Sequence, residues 1–220
     1  PKDGANQGKN EMMKRIATGT MIGALAVTVG ASGLAMTSAQ AGNKSLASVL
    51  TSDNNKFDKN AKDYDILTEA VLAVLAEKPD SDVSVLTDGK VKLTAFAPND
   101  SAFRKLVKDL TGKNYKSEKK VFKQVAGLGI DTVETVLLYH VVPNAKINAK
   151  TAAKSNGAKL DTAQGGILTV KVKKRHSATV IKLKDQDPDA PNAKVITPDI
   201  NKGNKQIAHG INQVLRPIDL

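Results

Sequence analysis

The chain has 220 residues, a formal net charge of +11, 40% hydrophobic and 3% aromatic residues, and neither cysteine nor tryptophan. That content supports one ordinary packed core and excludes a polytopic membrane protein. Zero cysteine excludes disulfide staples and a lipid-modified cysteine anchor, so stability has to come from packing.

Met12-Met13-Lys14-Arg15 is a short basic start, and Ile16 to Met36 is uncharged and mostly apolar. Ser38-Ala39-Gln40-Ala41 then supplies small residues at alternate positions, with Ala39 and Ala41 fitting the A-x-A form. The pattern predicts a secretory signal peptide cleaved before Gly42. The alternative is an uncleaved anchor, because the apolar stretch is long enough to span a bilayer. Its Gly, Thr and Ser content and the well-placed A-x-A favour cleavage. Residues 1–11 are polar and pattern-free, and read as a segment upstream of the start or as a long n-region. Removing residues 1–41 leaves the net charge near +9. Beyond Gly42 no apolar run approaches the roughly 20 residues that span a bilayer, so no stable membrane insertion is expected after cleavage.

Residues 42–62 are rich in Asn, Lys, Ser and Asp and read as a flexible lead-in with at most one docked turn. Ile66, Leu67, Ala70, Val71, Val74 and Leu75 recur at helical spacing behind a cap at Asp63 or Asp65, and Lys78-Pro79 ends the run. Val83 and Val85, then Val91 and Leu93, alternate with polar neighbours around Asp88-Gly89, which predicts a hairpin. The second run continues through Phe96 to Pro98. Asn99, Asp100 and Ser101 are each good N-caps, so a helix should start there, bury Phe103, Leu106, Val107 and Leu110, and close at Gly112. This sharp joint should bring Phe96 and Phe103 into one core.

Ser117 should cap a lysine-rich helix over 118–126, with Val121, Phe122 and Val125 inward. Asp131 and Glu134 have capping-box spacing for a helix over 132–139, which puts Val133, Val136, Leu137 and His140 on one face. The rest reads as strands at 167–172, 179–183, 194–196 and 206–215, separated by Gly- and Asp-rich turns. Helices first and strands second give an α+β domain. The organisation expected is a leader over 1–41, the lead-in over 42–62 and one domain over 63–220.

Three stretches resemble the fasciclin domain family. Leu93-Thr94-Ala95-Phe96-Ala97-Pro98-Asn99-Asp100-Ser101-Ala102-Phe103 is similar to its first signature. Leu137-Leu138-Tyr139-His140-Val141-Val142-Pro143 resembles its central tyrosine–histidine motif. Ile207-Ala208-His209-Gly210-Ile211-Asn212-Gln213-Val214-Leu215-Arg216-Pro217 resembles its closing signature. The resemblance implies a wedge of β-sheet with packed helices, and an extracellular adhesion or matrix role without catalysis. In that family the tyrosine–histidine pair and nearby aliphatic residues are associated with adhesion-receptor binding, a role that Tyr139 and His140 would inherit. Two positions depart from the family: Asn212 replaces a usual Asp, and Gly210 a usual branched aliphatic.

Phe96, Pro98, Asn99, Phe103, Tyr139, His140, His209 and Asn212 are therefore the residues expected to build the motif structure. His140 and His209 could in principle serve as a general base or as metal ligands. Nothing at metal-ligand spacing accompanies them, which favours local hydrogen bonding. Asp185, Asp187 and Asp189 open like a calcium loop, but Ala190 and Ile196 break the pattern and a turn is expected. No metal, cofactor or catalytic motif is found in the sequence: G-x-S-x-G, a phosphate loop and a dinucleotide fingerprint are all missing. Asn43 and Asn99 fit the glycosylation sequon.

Two basic clusters, Lys116, Lys119, Lys120, Lys123 and Lys171, Lys173, Lys174, Arg175, suggest attraction to anionic envelope polymers. With so few aromatics there is no stacking platform for nucleic acid. The expectation is a secreted, surface-associated adhesion protein binding a cell-surface protein or an anionic polymer. The alternatives are a carrier of a small apolar ligand in a cleft, or a hydrolase using His140 or His209.

Overall fold

The computed structural model describes residues 42–53, 57–176 and 178–217. The leader read over 1–41 lies outside them. Among the described residues no helix is long and apolar enough to cross a membrane.

Among the described residues six α-helices and seven strands form the α+β domain that the sequence suggests. The helices are α1 (Leu46–Leu50), α2 (Asp65–Glu77), α3 (Asp100–Thr111), α4 (Glu118–Ala126), α5 (Ile130–Tyr139) and α6 (Ala149–Ala152). The strands are β1 (Leu93–Pro98), β2 (Val141–Pro143), β3 (Lys159–Asp161), β4 (Ile167–Arg175), β5 (Ala178–Lys184), β6 (Ala193–Ile200) and β7 (Gln206–Ile211). They form one sheet in the order β2-β1-β7-β6-β5-β4-β3. All neighbours are antiparallel except β1 and β7, which run parallel with Phe96 opposite His209.

The opening joint is built as its residues dictate. Pro98 lies beyond the three residues of β1 that pair with β2, so its missing N–H removes no bond to that strand. Asn99 then caps α3, its Oδ1 accepting from Ala102 N at 3.0 Å, while its own N–H donates to Ile211 O of β7 at 3.2 Å. Asn99 is therefore buried and committed, which removes it as a glycosylation acceptor. The two phenylalanines, however, do not share a core. Side chains alternate across a strand, so Ala95 and Ala97 face the helical cluster that holds Phe103, whereas Phe96 joins a second cluster with Tyr139, Leu168, Leu183, Ile211 and Leu215. Phe96 stacks there on His209, ring centroids 5.9 Å apart.

Three further expectations are corrected. Residues 82–87 form a 3-10 helix rather than a hairpin strand, because Val83 and Leu86 lie three apart and bury on one side. Gly89, the hairpin glycine of the sequence reading, is needed for a close approach: a Cβ there would sit 1.7 Å from Asn43 O. The capping box at Asp131 and Glu134 is not made. Helix α5 starts after Gly129, and both carboxylates hold Lys78 instead. The described part of the lead-in is not loose. Leu46 is buried, and the lead-in is tied to the far end of the chain. Lys44 N donates to Asn204 Oδ1 at 3.0 Å, and Leu46 N to Gln206 Oε1 at 2.7 Å.

Gln206 is the staple at that junction. Fully buried at the start of β7, it also donates through Nε2 to Val85 O (2.7 Å) and Asp88 O (2.9 Å). One side chain thus satisfies three backbone groups from α1 and the 3-10 segment. Gln206→Leu keeps the bulk and strands those groups, and should cost roughly 2–4 kcal/mol. Chemical denaturation of the two proteins measures it; a change below about 0.5 kcal/mol would show that solvent reaches the junction.

Candidate functional site

The tyrosine–histidine pair closes α5 and is inaccessible. Tyr139 is 0% exposed and donates its hydroxyl to Ile167 O at 3.0 Å. Burial, then the nearby Asp185 carboxylate, push its phenol up to about 12. The His140 ring is held between α5 and the last described turn. Nδ1 meets Val136 O at 2.7 Å, so Nδ1 carries the hydrogen; Nε2 is left bare to accept from Leu215 N at 2.9 Å. His209 takes the opposite tautomer. Its Nε2–H donates to Ile147 O (2.7 Å), and its Nδ1 accepts from Asp199 N (3.2 Å). Both rings have spent both nitrogens on backbone. His140 joins α5 to the segment after β7, and His209 joins β7 to β6 and to the β2–α6 loop; no nucleophile is within their bonding set. Any receptor contact at the motif would have to use the surface around Tyr139 and His140.

Asn212 uses its amide in the same way. Its Oδ1 accepts from Lys194 N at 2.7 Å and its N–H donates to Lys194 O at 3.1 Å, which continues the β6–β7 pairing past the strand end. Gly210 has a steric reason: a Cβ there would lie 2.3 Å from the Tyr64 hydroxyl. The Asp185–Asp189 turn clamps Arg216. Asp185 Oδ2 accepts from Arg216 N (3.0 Å), and the guanidinium reaches Asp187 at 3.1 Å and Asp109 at 2.5 Å.

The basic clusters sort differently from their sequence order. Lys116 precedes α4, and Lys119, Lys120 and Lys123 are exposed on it. That helix packs on α2 and α3 in the helical layer. The strand cluster lies on the sheet. There, Lys171, Lys173 and Arg175 share the exposed face of β4, at alternate positions roughly 7 Å apart. Lys174 sits opposite Thr179 on the other side of that ribbon and does not belong with them.

Pairing adds cations that the sequence did not group. Lys171 stands opposite Lys182, and Lys182 opposite Lys194, a row of three lysines across β4, β5 and β6. Thr169, on the same face, stands between Lys159 of β3 and Lys184 of β5. All of these lysines are exposed, and Asp161 is the one acid at the paired positions of that face of β3–β6. The inner face of the same strands buries Leu168, Val170, Ile181 and Leu183. Like charges directly opposite cost stability, by a few tenths of a kcal/mol per pair. The fold carries that cost on a face that is cationic along β4, β5 and β6.

An apolar cavity bordered by Leu46, Leu67, Ala97, Leu137 and Ala208 has a volume of about 30 Å³. Between α2, α4 and α5 an apolar depression of about 220 Å³ opens at Phe122 and Val133, below the range of ordinary ligand pockets. Another depression, about 370 Å³, is open and mixed in character, with Lys105, Lys108, Asp109 and Arg216 on its wall.

The fasciclin domain model matches residues 67–217, and the chain belongs to the fasciclin domain family. Among solved structures the chain is similar to a FAS1 domain pair from the insect cell adhesion molecule fasciclin I. The identity is 19% and the TM-score 0.44, over 69% of this chain and 43% of that one. The chain thus spans less than half the length of that domain pair. No curated protein matches it. Fasciclin domains occur in extracellular or cell-surface proteins and serve adhesion-related, generally non-catalytic roles.

The buried histidine gives a pH signature. Burial holds the His140 imidazole down at about 4, and the hydrogen bond to Val136 opposes this only in part. The unfolded chain binds this proton near pH 6.5, so the ring's contribution to stability is intact above that pH and is lost as pH falls toward 4. The loss amounts to roughly 3 kcal/mol. In His140→Gln, which retains an acceptor for Leu215 N, the stability deficit relative to the parent should shrink by about that amount between pH 7 and pH 4. Urea midpoints at the two pH values test this. A deficit unchanged with pH would mean that the ring is charged or solvated in the native state.

Proposed function

We propose that this fasciclin domain is a non-catalytic adhesion module, acting outside the cell or at its surface, whose cationic β3–β6 face binds anionic envelope polymer. The observation that carries the reading is the Lys171–Lys182–Lys194 row, flanked along β4 by Lys173 and Arg175. A regularly spaced array of ammonium groups matches a chain of repeated phosphates or carboxylates. Each contact is weak in water and the sum is not. Attraction at this range is screened within about 10 Å at 0.1 M salt, so binding is salt-sensitive and reversible. The α4 lysines supply long-range attraction without a matching array. The pairing of both histidines with backbone supports the non-catalytic half of the reading.

The test is co-sedimentation of the protein with purified anionic envelope polymer at about 50 mM and about 500 mM salt. Binding should fall at least tenfold at the higher salt. Lys171→Glu/Lys182→Glu/Lys194→Glu should abolish it at low salt, while Lys119→Glu/Lys120→Glu should weaken it only severalfold. Retention that ignores salt and the sheet substitutions would replace the polymer by a protein partner or an apolar ligand.

A further inference from the structure

The cation row of the sheet does not end at β6. Lys194 pairs with Asn212, through Asn212 N to Lys194 O at 3.1 Å and Lys194 N to Asn212 Oδ1 at 2.7 Å. Asn212 O in turn accepts from Lys105 Nζ of α3 at 2.8 Å. The side-chain directions agree. Val195 and Ile211 are paired and both pack in the strand cluster, so Lys194 points the other way, to the side where α3 packs. Lys171, Lys182, Lys194 and Lys105 therefore follow one another from the sheet to the helical layer.

Lys105 is also a wall of the open depression between α3 and the β5–β6 loop. Its volume of about 370 Å³ lies within the range of ordinary ligand pockets, roughly 300–1,000 Å³. Three kinds of group line it. Lys105 and Lys108 are neighbours on the surface of α3, both exposed, and neither is in an ion pair among the described residues. Asp109 and Asp189 bring carboxylates. The buried Arg216 guanidinium fixes Asp109 through its Oδ2, and Asp189 is held on its loop by its own N–H to Asp187 Oδ1 at 2.9 Å. Leu106, Pro191 and Val214 add an apolar surface.

That combination is selective. Lys105 keeps two donors after its bond to Asn212, Lys108 has three, and together they call for an acid on the ligand. The carboxylates accept hydrogen bonds and call for hydroxyl donors. A phosphate chain lacks those donors at neutral pH, and a fatty acid lacks them too. A sugar acid has a carboxylate, several hydroxyls and a ring face of C–H groups.

We propose that this depression is the subsite for the terminal sugar of a carboxylated polysaccharide, whose following sugars lie along Lys194, Lys182 and Lys171. Lys105 and Lys108 hold the carboxylate, Asp109 and Asp189 accept from ring hydroxyls, and the ring rests on Leu106, Pro191 and Val214. The row's strands are ~4.8 Å apart, close to the advance of a pyranose chain per ring. The inference rests on the envelope-polymer reading for the row and deepens it: the sheet attracts by number of charges, and the depression selects the chemistry and fixes the chain end.

Calorimetric titration of the full chain with tetragalacturonate at about 50 mM salt tests the subsite. Lys105→Ala/Lys108→Ala should weaken binding at least about tenfold. Asp189→Ala should weaken it severalfold. Charge attraction alone gives the opposite sign, and tighter binding by Asp189→Ala overturns the subsite. Linear inorganic tetraphosphate should bind more weakly than the sugar acid; equal or tighter binding that depends on Lys105 and Lys108 overturns the sugar assignment. Suppose the tetramer ignores Lys105→Ala/Lys108→Ala but is lost in Lys171→Glu/Lys182→Glu/Lys194→Glu. The subsite then falls and the polymer-binding face stands. If long polymer fails to co-sediment while the tetramer still binds through Lys105 and Lys108, the face falls and the subsite stands.

Discussion

β1 and β7 lie side by side, second and third in the seven-stranded sheet, twelve residues without a charged side chain and with every one buried. They are the only parallel pair in the sheet, and they are more than a hundred residues apart in sequence. Closing so long a loop is entropically slow to repay. The pair must therefore be held by more than its ladder. Asn99 N reaches Ile211 O at one end, Gln206 reaches the 3-10 segment and α1 at the other, and Phe96 stacks on His209 in between. The helical cluster packs on one face of this pair and the strand cluster on the other.

That constraint explains why the motif histidines are structural. His140 and His209 stand where helix, turn and strand ends meet, and each such end leaves backbone groups that need partners. A neutral imidazole provides one donor and one acceptor on opposite sides of a rigid ring. The two tautomers found here are set by which backbone group lies on which side. The ring serves as a two-ended connector, and the outer strands are left free to carry charge.

The division between the two faces of β3–β6 is an energetic one. The inner residues bury apolar area at about 25 cal/mol per Å², which outweighs the repulsion among lysines on the outer face. The repulsion is weakened by water and salt, whereas the burial is not. A surface of this kind can therefore be strongly cationic without unfolding the sheet that carries it.

The periodicities and punctuation of the chain were enough to place α2, α3, α4, a capped helix start within 99–101 and the four long strands, though the strand read over 206–215 ends at Ile211. Those signals are local: spacing of apolar side chains, small polar caps, glycine after a helix. Ala149–Ala152, Val141–Pro143 and Lys159–Asp161 are too short to show a period, and only their partners make them helix or strand. The capping-box spacing at Asp131 failed because Lys78, over fifty residues earlier, took both carboxylates. Lys171, Lys182 and Lys194 are unrelated in sequence and become one row through register alone. Asp100 meets Asp63 and Asp65 for a different long-range reason, the packing together of two helix starts. Local chemistry set which residues lie inside and where elements begin; the long-range pairing of β1 with β7, and the register that follows from it, decided which charges became neighbours.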